Sequence, residues 1–225
     1  ARGIFDIPIA EMIIAYILNA VKRLPDFQAQ QAEHRWKLLR LRELRGLTAG
    51  LVGFGSIGKE IARLARAMGM RVVAIRRHPE KAPDLVDDML GPDGLDALLH
   101  AAHFVIIAAP LTEETHGMIG TDQLHQMRED AWLINIARGE IVDQSALVEA
   151  LAEGQIAGAA LDVFDEEPLP TDSPLWEMPN VLITPHNSWS TPHLKQREAE
   201  LFLNNLDRYL RDLPLRNVID PGKGY

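Results

Sequence analysis

From Ile9 onward, Met12, Ile13, Tyr16, Ile17, Ala20 and Val21 recur at helical spacing, while Ile14 and Leu18 make the other face apolar as well. A helix that is apolar on both faces needs cover on two sides. Either it is buried in one core, or it lies between this unit and a second domain or protomer. Asp6 and Pro8 open it in the manner of a capped helix. From Leu24 to Arg45 the chain is polar and charge-rich, with Phe27, Trp36, Leu38 and Leu39 as isolated apolar anchors, and reads as a connecting arm. Beyond Gly46, short apolar runs alternate with amphipathic helices, which predicts a parallel sheet. The candidate strands are Ala49 to Gly53, Arg71 to Ile75, a weak one at Leu85 to Leu90, His103 to Ala109, Ala131 to Ala137, Ile156 to Phe164, and Val181 to Thr184. The runs IIAA, LINIA and AALDVF are almost continuously apolar, as strands covered on both faces are. Asp143 can cap a helix that Gly154 stops, and Thr191 with Pro192 starts a long helix carrying Leu194, Leu201, Phe202, Leu206, Tyr209 and Leu210. The fold class is α/β, a doubly wound parallel sheet with helices on both faces.

The chain's 225 residues suffice for one large domain or two small ones, and its balance of 47% hydrophobic to 24% charged residues is that of a globular protein. Lys and Arg number 23 against 32 Asp and Glu, a net charge of −9, which disfavours nucleic acid and acidic lipid surfaces as partners. Without Cys there are no disulfides, thiolate metal sites or Cys nucleophiles. The most apolar stretch, Ile7 to Val21, is too short to span a bilayer and is interrupted by Glu11 and Asn19; it lacks the basic start of a signal peptide. No membrane association is expected. The first residue is Ala1, so either something upstream was removed or the chain begins inside a longer protein.

The segment Gly53-Phe54-Gly55-Ser56-Ile57-Gly58 matches G-x-G-x-x-G between an apolar strand and a helix, with a second strand after Gly69. That unit places a pyrophosphate on free N–H groups at a positive helix end, and makes the sheet Rossmann-type. Gly53 permits the turn, Gly55 lets backbone approach the phosphates, and Gly58 lets the helix pack on the strand. After the second strand, where NAD sites carry an acidic residue for the ribose, stand Arg76, Arg77 and His78. Arginines there suit the 2′-phosphate of NADP, with NAD still possible; the alternative is a pair of solvated surface charges.

Ligands of open α/β sheets bind beyond the carboxyl ends of the strands. Arg138, Glu167 and His186 each follow a predicted strand. Singly they read as a surface cation, a member of an acidic cluster with Asp165 and Glu166, and a loop histidine. Together they form the set that hydride transfer to a ketone needs: His186 to protonate the oxygen, Glu167 to stabilise the imidazolium, and Arg138 to hold a substrate carboxylate. No metal is expected, since the other histidines show no ligand spacing with carboxylates.

The motifs ARGIFDIPIAE, LVGFGSIGKEIA, APLTEETHGMI, LINIARGEIVDQSAL, AGAALDVFDEEPLP, NVLITPHNSWS and PLRNVIDPGKGY, in that order, resemble the D-isomer-specific 2-hydroxyacid dehydrogenases, among them glyoxylate and hydroxypyruvate reductases. The resemblance covers essentially the whole chain. It implies Arg138 as the substrate-orienting residue, Glu167 as the partner carboxylate and His186 as the acid/base. It implies cofactor contacts by Ser56 and Ile57, by Pro110 and Thr115, by the backbone around Ala137, by Asp162 near the nicotinamide amide, and by Ser188. It also implies a cytoplasmic homodimer acting on small 2-oxoacids.

Arg76 stands where NAD-using members carry Asp, and Trp189 where many relatives have a small residue. Family members carry, before the segment matching ARGIFD, the first half of a substrate domain that is not present here. Three parts are therefore expected: a linking helix and dimerisation arm over residues 1–47, a dinucleotide-binding domain over 48–190, and a helix and tail over 191–225 that return to the substrate domain. Alone, the chain is expected to bind NADPH but turn over poorly. The rival reading is a non-catalytic dinucleotide-binding sensor module, for which the phosphate turn alone would suffice.

Overall fold

The computed structural model describes residues 3–77, 79 and 84–218. His78 of the basic run, Ala1 and Arg2 of the opening motif, and residues 219–225 of the tail lie outside the described residues. In chain order the elements are α1 (Asp6–Lys22), α2 (Leu24–Ala32), β1 (Thr48–Val52), α3 (Ser56–Ala67), β2 (Arg71–Ile75), β3 (Asp88–Leu90), α4 (Leu95–Ala101), β4 (Phe104–Ile107), α5 (Thr121–Gln126), β5 (Trp132–Asn135), α6 (Gln144–Glu153), β6 (Gly158–Leu161), β7 (Val181–Ile183) and α7 (Leu194–Leu210). The strands form one parallel sheet in the order β3-β2-β1-β4-β5-β6-β7.

Strand side chains alternate between the two faces, and both faces are apolar. Leu51, Val72, Ile106, Ile134 and Ala160 pack with α1 and α3, whereas Val52, Val73, Val105, Leu133 and Leu161 pack with α4, α5 and α6. The chain therefore winds both ways from β1, and the crevice between β1 and β4 is the point where its direction reverses. Every predicted strand is present: β2 has the predicted bounds, β1 is shifted by one residue, and β3 to β7 are shorter than their apolar runs, the flanking residues lying outside the ladder.

Three sequence expectations need correction. The arm from Leu24 contains α2, which starts with Pro in its first turn and is secured by the Arg23–Asp26 ion pair at 2.9 Å; with only Gln30 buried it has little apolar periodicity to betray it. Asp6 is not a cap: Phe5 precedes the helix without a side-chain cap bond, and Asp6 is already helical. The last helix starts at Leu194 rather than at Thr191, because the Thr191 hydroxyl instead accepts from the His193 amide at 3.3 Å within the preceding turn. Asp143 and Gly154 bound α6 as expected, with the Asp143 carboxylate accepting from the Ala146 amide at 3.0 Å and Gly154 at a φ of 71°. Among the described residues no helix is long and apolar enough to cross a membrane.

Candidate active site

The turn after β1 is built for close approach. Gly53 has a φ of 103°, and a Cβ there would lie 2.7 Å from the Ala108 carbonyl carbon, so it lets β1 leave the sheet tight against the β4 loop. A Cβ at Gly58 would lie 2.7 Å from the Gly53 carbonyl oxygen, which seats α3 directly on the turn. Gly55 differs, since a Cβ there would meet nothing within 4 Å. Protein packing does not demand glycine at that position, whereas a ligand approaching the backbone does. α3 then starts without a side-chain cap, so its N-terminal N–H groups and positive dipole end serve the same space. These residues fit a bound pyrophosphate.

Around that turn, the hydroxyl of Ser56 donates to Asp6 Oδ1 at 3.1 Å, while Ile57 is half-buried against the α1 side of the core. Thr115 donates to the Pro110 carbonyl at 2.7 Å and accepts from the Thr112 amide at 2.8 Å, closing the loop after β4 upon itself. At the end of β2 the exposed Arg76 gives its amide to Leu90, and Arg77 pairs with Glu114 at 2.7 Å, joining this end of β2 to the same loop. Such an exposed pair contributes under about 1 kcal/mol, little enough for a bound phosphate to displace it.

The carboxyl ends of β5, β6 and β7 carry the three polar candidates. His186 Nδ1 lies 2.8 Å from Glu167 Oε2. A carboxylate accepts, so Nδ1 carries the proton of this bond and Nε2 is left for exchange with a reactant. Glu167 is itself held, its Oε1 accepting from the Phe164 amide at 3.1 Å. Arg138 is exposed in the neighbouring loop, its guanidinium donating to the Ala137 carbonyl at 2.6 Å. The structure thus joins Glu167 to His186 directly and holds Arg138 one loop away. Asp162, fully buried, accepts from the amides of Asn187 at 2.9 Å and Ser188 at 3.0 Å and from the Thr184 hydroxyl, so both oxygens face the loop that carries His186. Among the described residues no group of His and carboxylates could hold a metal.

The family model for the NAD-binding domain of the D-isomer-specific 2-hydroxyacid dehydrogenases matches residues 14–188, a span that holds every one of these strand-end residues. The chain belongs to this family. The glyoxylate reductase of Korarchaeum cryptofilum is 37% identical over 220 residues, covering 93% of this chain and 64% of that protein. The D-3-phosphoglycerate dehydrogenase of Methanocaldococcus jannaschii is 34% identical over 220 residues, covering 96% of this chain and 41% of that protein. The chain therefore spans less than two thirds of the length of either relative. Among solved structures, a D-isomer-specific 2-hydroxyacid dehydrogenase from Xanthobacter autotrophicus in complex with NADPH and MES superposes with a TM-score of 0.90 at 33% identity, covering 100% of this chain and 92% of that one. An NADPH-dependent glyoxylate/hydroxypyruvate reductase from Sinorhizobium meliloti, bound to NADP and sulfate, gives a TM-score of 0.90 at 28% identity, covering 100% of this chain and 72% of that one.

In this dehydrogenase domain, several supporting residues escape sequence reasoning. Asn135, buried at the end of β5, donates to the Arg138 carbonyl at 2.8 Å and accepts from the Ala137 amide at 3.1 Å, so it shapes the turn that presents Arg138. Its signal was available: it is the one polar residue in an otherwise apolar strand. Gly139 is where two loops pack backbone against backbone, since a Cβ there would sit 2.0 Å from the Phe164 carbonyl carbon and 2.4 Å from the Asp165 nitrogen. Replacing Gly139 by Ala is expected to push the Arg138 loop off the Phe164–Glu167 loop at a cost of about 3 kcal/mol, the upper range for overpacking. A urea midpoint within error of the wild type would show that these loops are not packed as described.

Proposed function

We propose that the chain is the cofactor-binding part of an NAD(P)-dependent oxidoreductase that interconverts small 2-oxoacids and D-2-hydroxyacids, with NADPH preferred. The carrying observation is the His186–Glu167 hydrogen bond of 2.8 Å, set beside the Arg138 loop on the same sheet edge as the phosphate turn. A sensor module needs the turn alone, whereas here a glycine, a buried Asn and a buried Asp are all spent on presenting polar side chains. The relatives named as glyoxylate reductases and the neighbours solved with NADPH and NADP support both substrate class and cofactor.

NADPH, when bound, supplies the hydride. Gly53, Gly55, Gly58, Ser56 and Ile57 would hold its pyrophosphate, Arg76 and Arg77 its 2′-phosphate, and Pro110, Thr115, the Ala137 backbone, Asp162 and Ser188 the remainder. The chain's own residues handle charge and protons. Arg138 binds the substrate carboxylate as a planar fork and polarises the adjacent carbonyl. In reduction, His186 Nε2 delivers a proton to the carbonyl oxygen; in oxidation it removes one from the hydroxyl. Glu167 fixes the ring through Nδ1 and balances its charge when both nitrogens are protonated.

The apolar residues of α7, with Phe202 67% and Tyr209 70% exposed, support a return of residues 191–225 to a substrate domain beyond this chain. Trp36 at 95% and Leu38 at 88% exposure support pairing of two copies through the arm of residues 1–47. The test is NADPH oxidation with glyoxylate and hydroxypyruvate, run on this chain and on a full-length form. The full-length form is expected to reduce at least one of them faster with NADPH than with NADH, and the chain alone to be far slower. Absence of turnover by the full-length form with any small 2-oxoacid would overturn the reading.

A further inference from the structure

His186 has a φ of 50°, in the left-handed region that a non-glycine residue keeps only where the surroundings enforce it. Part of that enforcement is a directed chain of hydrogen bonds starting on a distant helix. The Thr184 hydroxyl has one proton, and it goes to the Asp162 carboxylate, which also accepts the amides of Asn187 and Ser188. The other partner of the Thr184 oxygen is the phenol of Tyr16 in α1, which must therefore donate to it. Tyr16 is buried, and burial, together with the charge of Asp162 and against the Thr184 hydrogen bond, pushes its phenol up to about 12, so that it stays a donor at every working pH.

We propose that Tyr16 is a positioning residue for the reaction: by donating to Thr184 it aims that hydroxyl at Asp162, and through Asp162 it holds the loop that sets the His186 imidazole against Glu167. Without the phenol, the Thr184 hydroxyl loses the donor that fixes its rotor, and Asp162 loses part of its grip on the two amides that follow His186. The consequence for turnover rests on the dehydrogenase reading; the structural claim does not.

Amide hydrogen exchange separates the two. It would be followed by NMR on this chain in the wild type, Tyr16→Phe, Thr184→Val and the double variant; Phe keeps the buried ring and removes only the hydroxyl. Tyr16→Phe is expected to raise exchange at Asn187 and Ser188 about tenfold while leaving Leu51 and Ile106, central in β1 and β4, within twofold. In the Thr184→Val background it should add less than twofold, because the route is already cut. Unchanged exchange at Asn187 and Ser188, an equal rise at Leu51 and Ile106, or full additivity with Thr184→Val would each overturn the proposal. In a full-length form, Tyr16→Phe is expected to lower kcat, with the KM for NADPH rising only so far as Asp162 and Ser188 also hold the cofactor, whereas an unchanged kcat would contradict it. If the exchange results hold and the wild type reduces no 2-oxoacid, the dehydrogenase reading fails and the positioning role of Tyr16 in the loop stands.

Discussion

Replacing His186 by Gln in a full-length form is expected to lower kcat by about 10²–10⁴, the range supplied by a positioned general acid. Glutamine can still donate to Glu167 Oε2, where the ring now bonds at 2.8 Å, but it has no proton to transfer at the far end. NADPH binding should therefore be nearly unchanged, since no phosphate-holding residue is touched. The check is steady-state kinetics paired with a binding titration. A variant that keeps kcat within tenfold of the wild type would move the acid/base role to another group.

Arg138→Ala is expected to reduce kcat/KM for 2-oxoacids by about 10²–10⁴, because it removes both the fork for the carboxylate and the charge beside the developing oxyanion. Arg138→Lys should recover only part of the loss, since a point charge cannot bind bidentately. The loss should be much smaller for a ketone that lacks a carboxylate, and comparing the two substrates checks the assignment. Equal losses on both would mean that Arg138 acts on something other than the carboxylate. The guanidinium now donates to the Ala137 carbonyl, so engaging a substrate requires only a side-chain rotation in an exposed loop.

The sheet was legible because burial on both faces writes itself into the sequence as apolar runs, and all of the strands from β1 to β7 followed those runs. The phosphate turn was legible because its glycines have separate steric tasks, seen in the crowding at Gly53 and Gly58 and the open space at Gly55. Singly, His186 and Glu167 read as a loop histidine and a member of an acidic cluster, and only as a set on one sheet edge did they point to a paired acid/base; the contact itself, 2.8 Å between two loops separated by β7, depends on how those loops fold back. The Tyr16–Thr184 bond was beyond reach, since its partners are 168 positions apart and Tyr16 counted only as one more apolar position in α1. Asp6 misled for a related reason: an acidic residue at a helix start reads as a cap, whereas here it accepts the Ser56 hydroxyl at 3.1 Å from the turn it faces.

The most direct test of the central claim is a fluorescence titration of this chain with NADPH and with NADH, before and after Arg76→Asp, using the signal of its four Trp. The wild type is expected to bind NADPH more tightly than NADH, and the substitution to weaken NADPH by about tenfold or more through repulsion of the 2′-phosphate while sparing NADH. Failure to bind either dinucleotide, or equal affinity for both that Arg76→Asp leaves unchanged, would contradict a working cofactor site that reads the 2′-phosphate.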